Sequence, residues 1–202
     1  MSTLFPYWPY AGAFFLTCKA VPMTLLPPES EDWRPFLGLL ALGAGRNFNL
    51  HPEPLELGPF LQALRPTLEG ALHGRAQLRL EEASESLWAF MDPDQLHQVL
   101  VNLVGNAGES MERPGEVRLT LVRDPLEPFV ELGVRGTGPG IPPGIREQIF
   151  DPFFTTKAAG QGTGLGLTSV QGVMLQSGGE VRLESEVGRG TTFTLRIPMA
   201  QD

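Results

Sequence analysis

FDPFFTTKAAGQGTGLGLTSV, residues 150–170, is the stretch on which the reading of this chain turns. Gly160, Gly162, Gly164 and Gly166 alternate with other residues, and then Leu167, Val170 and Met174 take up helical spacing. A glycine run that opens into a helix presents unpaired backbone N–H groups at the positive end of the helix dipole, and phosphate is what such a start attracts. The segment reads as a triphosphate cradle. A dinucleotide-binding turn is the rival, but it belongs between two parallel strands with an acidic residue after the second. Here the run follows a loop and leads to an antiparallel-looking hairpin: Glu180 to Val187, a turn at Gly188, Arg189 and Gly190, then Thr191 to Pro198.

Working upstream, Val117, Leu119 and Leu121 alternate on one predicted strand, and Val130, Leu132 and Val134 on another, with Asp124 to Glu127 as the turn between them. The second strand runs straight into Gly136, Thr137, Gly138, Pro139, Gly140 and Ile141. Glycine there permits positive φ and close approach of a ligand, although turns also use glycine for conformation alone. Before these strands lies the clearest helix. Asp92 is placed to cap it, Pro93 suits its first turn, Gln95 completes a capping-box pattern, and Leu96, Val99, Leu100, Leu103, Val104 and Ala107 form one apolar stripe. Asn102 and Asn106 are about 40° apart around that helix and share a different face. Two carboxamides so placed suit a metal and a nucleotide, or a plain polar surface; their spacing alone leaves both open.

The resulting order of helix, two strands, two helices and two strands predicts an α/β sandwich, a mixed sheet with helices on one face. Further upstream, Leu78 and Leu80 alternate with Arg79 and Glu81, and Leu87 to Met91 is a short apolar run; both read as strands. Leu57 to Leu72 reads as a helix that Pro66 should kink or divide, Asn49 to Glu56 as a two-proline linker, and Asp32 to Gly45 as a short helix. Residues Leu4 to Leu26 are apolar and aromatic, but Pro6, Pro9, Pro22 and Lys19 interrupt them and they lack a basic n-region. They read as an extension or small packing arm rather than a membrane span or signal peptide. The domains expected are therefore 1–30, an extension; 31–75, a helical segment and linker; and 76–202, the main domain.

Composition narrows the function. The chain has 202 residues and a formal net charge of −8, which argues against a nucleic-acid partner, since those surfaces carry a basic footprint. Cys18 is the only cysteine, and His51, His73 and His97 lack zinc-site spacing, so a reducing cytoplasm is the expected compartment.

Taken together, Asp92 to Met111, Val134 to Ile141, Asp151 to Lys157 and Gly162 to Leu167 resemble, in order and spacing, the N box, first glycine box, F box and second glycine box of sensor histidine kinases. Those ATP-binding domains share a Bergerat-type two-layer α/β sandwich with DNA gyrase and the mismatch-repair ATPases. The phrase from Phe150 to Val170 is especially similar to nitrogen-regulatory-type kinases. The resemblance implies ATP and Mg²⁺ as cofactors. It matches Asn106 to the asparagine that helps coordinate Mg²⁺, with Asn102 beside it, and Gly136, Gly138, Gly140 and Ile141 to the turn near adenine. It places Phe153 and Lys157 in a mobile lid, Gly162, Thr163, Gly164, Leu165, Gly166 and Leu167 in the phosphate loop, and Thr191 under the adenine. Where ATP-hydrolysing relatives carry a glutamate that activates water, this chain has Asn102, and an amide cannot take up a proton. Transfer to a protein histidine is thereby favoured over hydrolysis.

Two positions depart from the family. Gly136 stands where an aspartate accepts a hydrogen bond from the adenine amino group, and no histidine lies in an H-box helix. The expected partners are a response regulator or a kinase chain that supplies the phosphoacceptor histidine, with homodimerisation open. Two alternatives remain at this stage: a noncatalytic regulator that binds a kinase or response regulator through the same fold, and an anti-sigma-type serine kinase.

Overall fold

The computed structural model describes residues 51–81, 85–158 and 162–200. The extension at 1–30 and the helix expected at Asp32 to Gly45 lie outside them. Among the described residues the elements run β1 (Glu53–Glu56), α1 (Leu57–Ala71), β2 (Ala76–Leu80), β3 (Trp88–Met91), α2 (Pro93–Glu109), β4 (Gly115–Arg123), β5 (Phe129–Gly136), α3 (Gly166–Gln176), β6 (Glu180–Glu186) and β7 (Gly190–Pro198). Two short 3₁₀ turns, Pro143–Ile145 and Gln148–Phe150, lead from β5 towards α3.

Five strands form the main sheet in the order β2-β4-β5-β7-β6. β2 runs parallel to β4 and every other neighbour pair is antiparallel. The strands alternate as their sequences require. Val117, Leu119, Leu121, Val130, Leu132, Val134, Phe193, Leu195 and Ile197 enter one core with Leu96, Leu100, Leu103 and Val104 of α2 and Val170, Val173 and Met174 of α3. The opposite positions of these strands carry Arg118, Thr120, Glu131, Thr194 and Arg196. This is the expected α/β sandwich, a mixed sheet with helices packed on its apolar face.

The start of α2 is fixed as its sequence requires. Asp92 Oδ1 accepts from the N–H groups of Asp94 at 2.9 Å and Gln95 at 3.1 Å, and Oδ2 accepts from His51 N–H at 2.8 Å. The polar side of the sheet is tied by Arg196, which is 7 % exposed. It donates to Asp124 and Glu127, both at 2.6 Å, and to Glu180 at 2.9 Å, and it stacks over the Phe129 ring at 4.5 Å. The guanidinium and the turn amides of Leu126 and Glu127 hold the Asp124 carboxyl below its usual range, the Leu126 amide contributing most. Glu180 is lowered by the same arginine and by Arg182.

Three upstream expectations change. Within the stretch read as a linker, Glu53–Glu56 forms β1, antiparallel to β3 with Glu53 opposite Met91 and Glu56 opposite Trp88. Pro54 is tolerated because β1 has β3 on one side only, and an edge strand has N–H positions that need no partner. Pro66 does not divide α1, which is continuous over 15 residues. Pro66 is exposed while Leu57, Leu61 and Leu68 are buried, so the missing amide bond falls on the solvent side, where water can serve the freed carbonyl. Finally, one compact unit runs from Phe48 to Asp202, so a boundary at 75/76 falls inside it. The reason is packing: Leu57, Leu61, Leu68 and Leu72 share the core of α2 and β4 and cannot be separated from it without exposing them.

Candidate functional site

Position 136 closes β5, and from there the chain turns beneath α2. A β-carbon added to Gly136 would lie 3.2 Å from the Ala107 β-carbon and 3.5 Å from the Met111 methyl. One added to Gly138 would lie 3.0 Å from Ser110 Oγ. The turn therefore passes against the last two turns of α2, within one helical turn of Asn106. Gly140 has φ +78°, and its added β-carbon would fall 2.2 Å from the Glu186 carbonyl oxygen; only glycine fits. Thr191 lies opposite Gly136 in the β5–β7 ladder. Its hydroxyl is 2.8 Å from Ser185 Oγ, which also accepts from Ile141 N–H at 2.8 Å. Ser185 thus joins the turn to both strands of the last hairpin.

The second group of residues gathers at the start of α3. Leu165 at the N-cap offers no side-chain acceptor, and no acidic residue stands in the first turn. The first N–H groups of the helix are consequently without helical partners. A β-carbon added to Gly166 would lie 3.7 Å from Asn106 Nδ2 and 3.9 Å from Asn102 Oδ1. The open helix start and both carboxamides share one space. Asn102, Asn106 and Glu109 also line a groove of about 470 Å³ between α1 and α2. A second hollow of about 400 Å³, at the start of α1 beside Leu61, Leu80 and Leu121, contains none of the motif residues.

Between these groups runs the segment 150–165. Phe150 packs edge-on against Phe193 with ring centroids 6.4 Å apart, and its carbonyl accepts from Thr168 Oγ1 at 3.0 Å. Beyond that anchor Phe153 is 68 % exposed and has φ +65°, an uncommon conformation for a bulky residue. Its N–H donates to the Gly164 carbonyl at 3.0 Å. Gly164 itself has φ +66°, and a β-carbon there would strike the Phe153 carbonyl carbon at 2.3 Å. Further along, Thr155 Oγ1 accepts from Lys157 N–H at 3.1 Å, and Thr163 Oγ1 is 3.4 Å from Leu165 N. The Lys157 side chain reaches back across the cleft. Its Nζ donates to Asn106 Oδ1 at 3.3 Å and forms an ion pair with Glu109.

The structure thus brings Gly136 and Gly138 against Ala107, Ser110 and Met111 at the C-terminal end of α2, joins Gly140, Ile141 and Thr191 to them through the turn and the last hairpin, and gathers Asn102, Asn106, Lys157 and Gly166 beside the same helix. Gly162 packs against Thr155 and Lys157, Leu165 and Leu167 are half-buried beneath the loop, and Thr163 and Phe153 face solvent. Three neighbours of these residues escaped the sequence reading. Met111 fills the space beside Gly136, Ser185 links the turn to the hairpin, and Glu109 pairs with Lys157. Glu109 stands three residues after Asn106 on the same helical face, which was the one available signal.

Comparison with known proteins gives the family of the fold. Residues 91–201 fit the family described as histidine kinase-, DNA gyrase B- and HSP90-like ATPases. The chain is 39 % identical over 171 residues to the sensor kinase CckA of Brucella abortus, covering 78 % of this chain and 18 % of that protein. It is 41 % identical over 108 residues to the sensor histidine kinase ZraS of Escherichia coli, covering 54 % and 22 %. The chain thus spans about a fifth of these relatives. Among solved structures, full-length ShkA in complex with AMPPNP superposes with a TM-score of 0.69 at 28 % identity, over 84 % of this chain and 35 % of that one. The nucleotide-free catalytic domain of the histidine kinase ThkA gives 0.63 at 31 % identity, over 73 % and 95 %. The chain belongs to the histidine kinase-, DNA gyrase B- and HSP90-like ATPase family, and its relatives within that family are the ATP-binding domains of sensor histidine kinases.

Proposed function

We propose that this domain binds Mg-ATP and delivers the γ-phosphoryl group to a histidine on a partner kinase chain or segment, in the cytoplasmic part of a two-component pathway that ends on a response regulator. The observation that carries the reading is the open start of α3 facing Asn102 and Asn106, with the Lys157 ammonium close by. Backbone N–H groups and a lysine suit the phosphates, and the Asn106 carboxamide oxygen suits a hard divalent cation. Mg²⁺ bound there would neutralise charge on the phosphates during transfer. The remaining work is positioning. The turn at Gly136 to Ile141, with Thr191, offers the surface against which the base would lie, and the loop at Gly162 to Leu167 orients the phosphates. Asn102 occupies the space beside Gly166 with a group that cannot act as a general base, so water there is left unactivated and transfer to an incoming imidazole is favoured.

The test is calorimetry with Mg-AMPPNP, followed by incubation of the domain and labelled ATP with a kinase chain that bears the phosphoacceptor histidine. Binding and an acid-labile, alkali-stable phosphoprotein are expected. A phosphoserine product, stable to acid, would replace the histidine assignment, and absence of nucleotide binding would sink the proposal.

A further inference from the structure

Among the described residues of the loop, Lys157 reaches α2 with its side chain, and what it reaches is a pair of groups. Its Nζ donates to Asn106 Oδ1 at 3.3 Å and is ion-paired to Glu109. The carboxylate lies one helical turn beyond Asn106, so both acceptors face the cleft from the same side of α2. We infer that Glu109 is a positioning residue: in the nucleotide-free domain it holds the Lys157 ammonium on the Asn106 carboxamide oxygen, so that nucleotide and metal must draw the lysine away before that oxygen can be used.

The argument is electrostatic. A lysine ammonium and a divalent cation seek the same oxygen, and they cannot occupy it together. Without Glu109, a neutral carboxamide would be a weak reason for a flexible lysine to cross the cleft; with it, the lysine gains a full opposite charge. Thr155 helps by fixing the backbone at the base of the reach, since its Oγ1 accepts from Lys157 N–H at 3.1 Å. The side chains of Lys157 and Glu109 are 35 % and 42 % exposed. The hold is accordingly weak, as suits a contact broken on each binding event; half-exposed ion pairs shift an equilibrium by up to about fivefold.

The inference rests on the proposed nucleotide site, and its test separates the two. Hydrogen exchange of residues 153–158 is measured without nucleotide in the unmodified domain and in Glu109→Gln, which keeps the shape and removes the charge. Exchange is expected to rise about two- to fivefold in the variant. Unchanged exchange would overturn the hold. Mg-AMPPNP affinity is then measured for Glu109→Gln, Lys157→Met and the double variant. Glu109→Gln is expected to bind about two- to fivefold more tightly, and most of that gain should vanish in the Lys157→Met background. An equal gain in both backgrounds would mean simple repulsion of phosphate and would refute the role assigned to Lys157. Weaker binding in Glu109→Gln would make Glu109 a metal ligand and refute it as well. If no form binds Mg-AMPPNP, the nucleotide reading falls, while the exchange measurement still decides whether Glu109 holds Lys157.

Discussion

Placing a carboxylate at position 136 tests the pocket at its most unusual point. In the family this domain resembles, an aspartate here accepts from the adenine amino group; this chain has glycine. The substitution Gly136→Asp meets moderate steric resistance. Its β-carbon would sit 3.2 Å from the Ala107 β-carbon and 3.5 Å from the Met111 methyl, and Met111 is flexible enough to yield a few tenths of an ångström. Overpacking of this kind costs about 1–3 kcal/mol of stability, and the lower part of that range fits a single tight contact. The return is a charge-assisted hydrogen bond worth about 1.5–3 kcal/mol, or roughly ten- to a hundredfold in affinity. The gain should appear for ATP and not for GTP, because guanine presents a carbonyl oxygen where adenine presents an amino group. As it stands, position 136 has no side chain to tell the adenine amino group from the guanine carbonyl, so weak discrimination is expected before the change. ATP and GTP affinities of both forms by calorimetry, with melting curves to confirm folding, check the argument. Equal and tight ATP binding before and after would refute it, by showing that another group already serves the amino group.

Three further outcomes are expected. Asn106→Ala should weaken Mg-nucleotide binding about tenfold while leaving the melting temperature nearly unchanged, because the carboxamide faces Lys157 rather than the core; unaltered affinity in calorimetry would remove Asn106 from the metal site. Gly164→Ala should abolish nucleotide binding with little loss of global stability, since the added methyl strikes the Phe153 backbone at 2.3 Å in a left-handed conformation that itself costs about 1–2 kcal/mol, and the damage lies in a loop outside the core; retained binding would show that the loop yields freely. Asp124 and Glu180 are held below their usual ranges by Arg196 and neighbouring donors. Depressed folded-state values stabilise the fold above the ordinary carboxylate range and lose that contribution as pH falls through the folded values. The melting temperature should therefore decline progressively below about pH 4, and Arg196→Met should flatten that decline while lowering stability at neutral pH. An acid titration of both forms checks this.

Much of the local structure around the candidate site was legible because particular backbone conformations demand particular residues. Gly140 and Gly164 announce themselves: one lies against the Glu186 carbonyl and the other against the Phe153 backbone, and each has positive φ. The helix from Pro93 was equally clear, because Asp92, Pro93 and the apolar stripe all point to the same start and the same buried face. What failed to show was set by distant partners. β1 reads as a linker because its four residues include a proline and gain strand character from β3, more than thirty residues away. The membership of α1 in the main unit depends on packing against α2 and β4, which no local pattern reveals. Phe153 gives no sign of its left-handed backbone, since that conformation is imposed across the loop by Gly164. Ser185 looks like one more polar residue on an alternating strand until the ladder sets it opposite Thr191.

The two halves of the site meet because one helix serves both. Ala107 lies against Gly136 at the closing end of β5, and the preceding residue, Asn106, lies against Gly166 at the start of α3. Two motifs thirty residues apart in the chain are thereby brought to adjacent residues of α2, and the core beneath fixes that helix: Leu96, Val99, Leu100, Leu103 and Val104 are at most 1 % exposed. The loop between the motifs is held differently. Phe150 is anchored on Phe193, Thr168 and the core, whereas Phe153 stands in solvent and Lys157 touches α2 only through half-exposed groups. Two firmly packed walls with a weakly tethered segment between them suit the proposed nucleotide, which must enter, be held in register and leave. If the proposed phosphoryl transfer takes place here, the protein's contribution is mostly positioning and charge neutralisation; the stable core then belongs under α2, and the freedom to move belongs at Lys157.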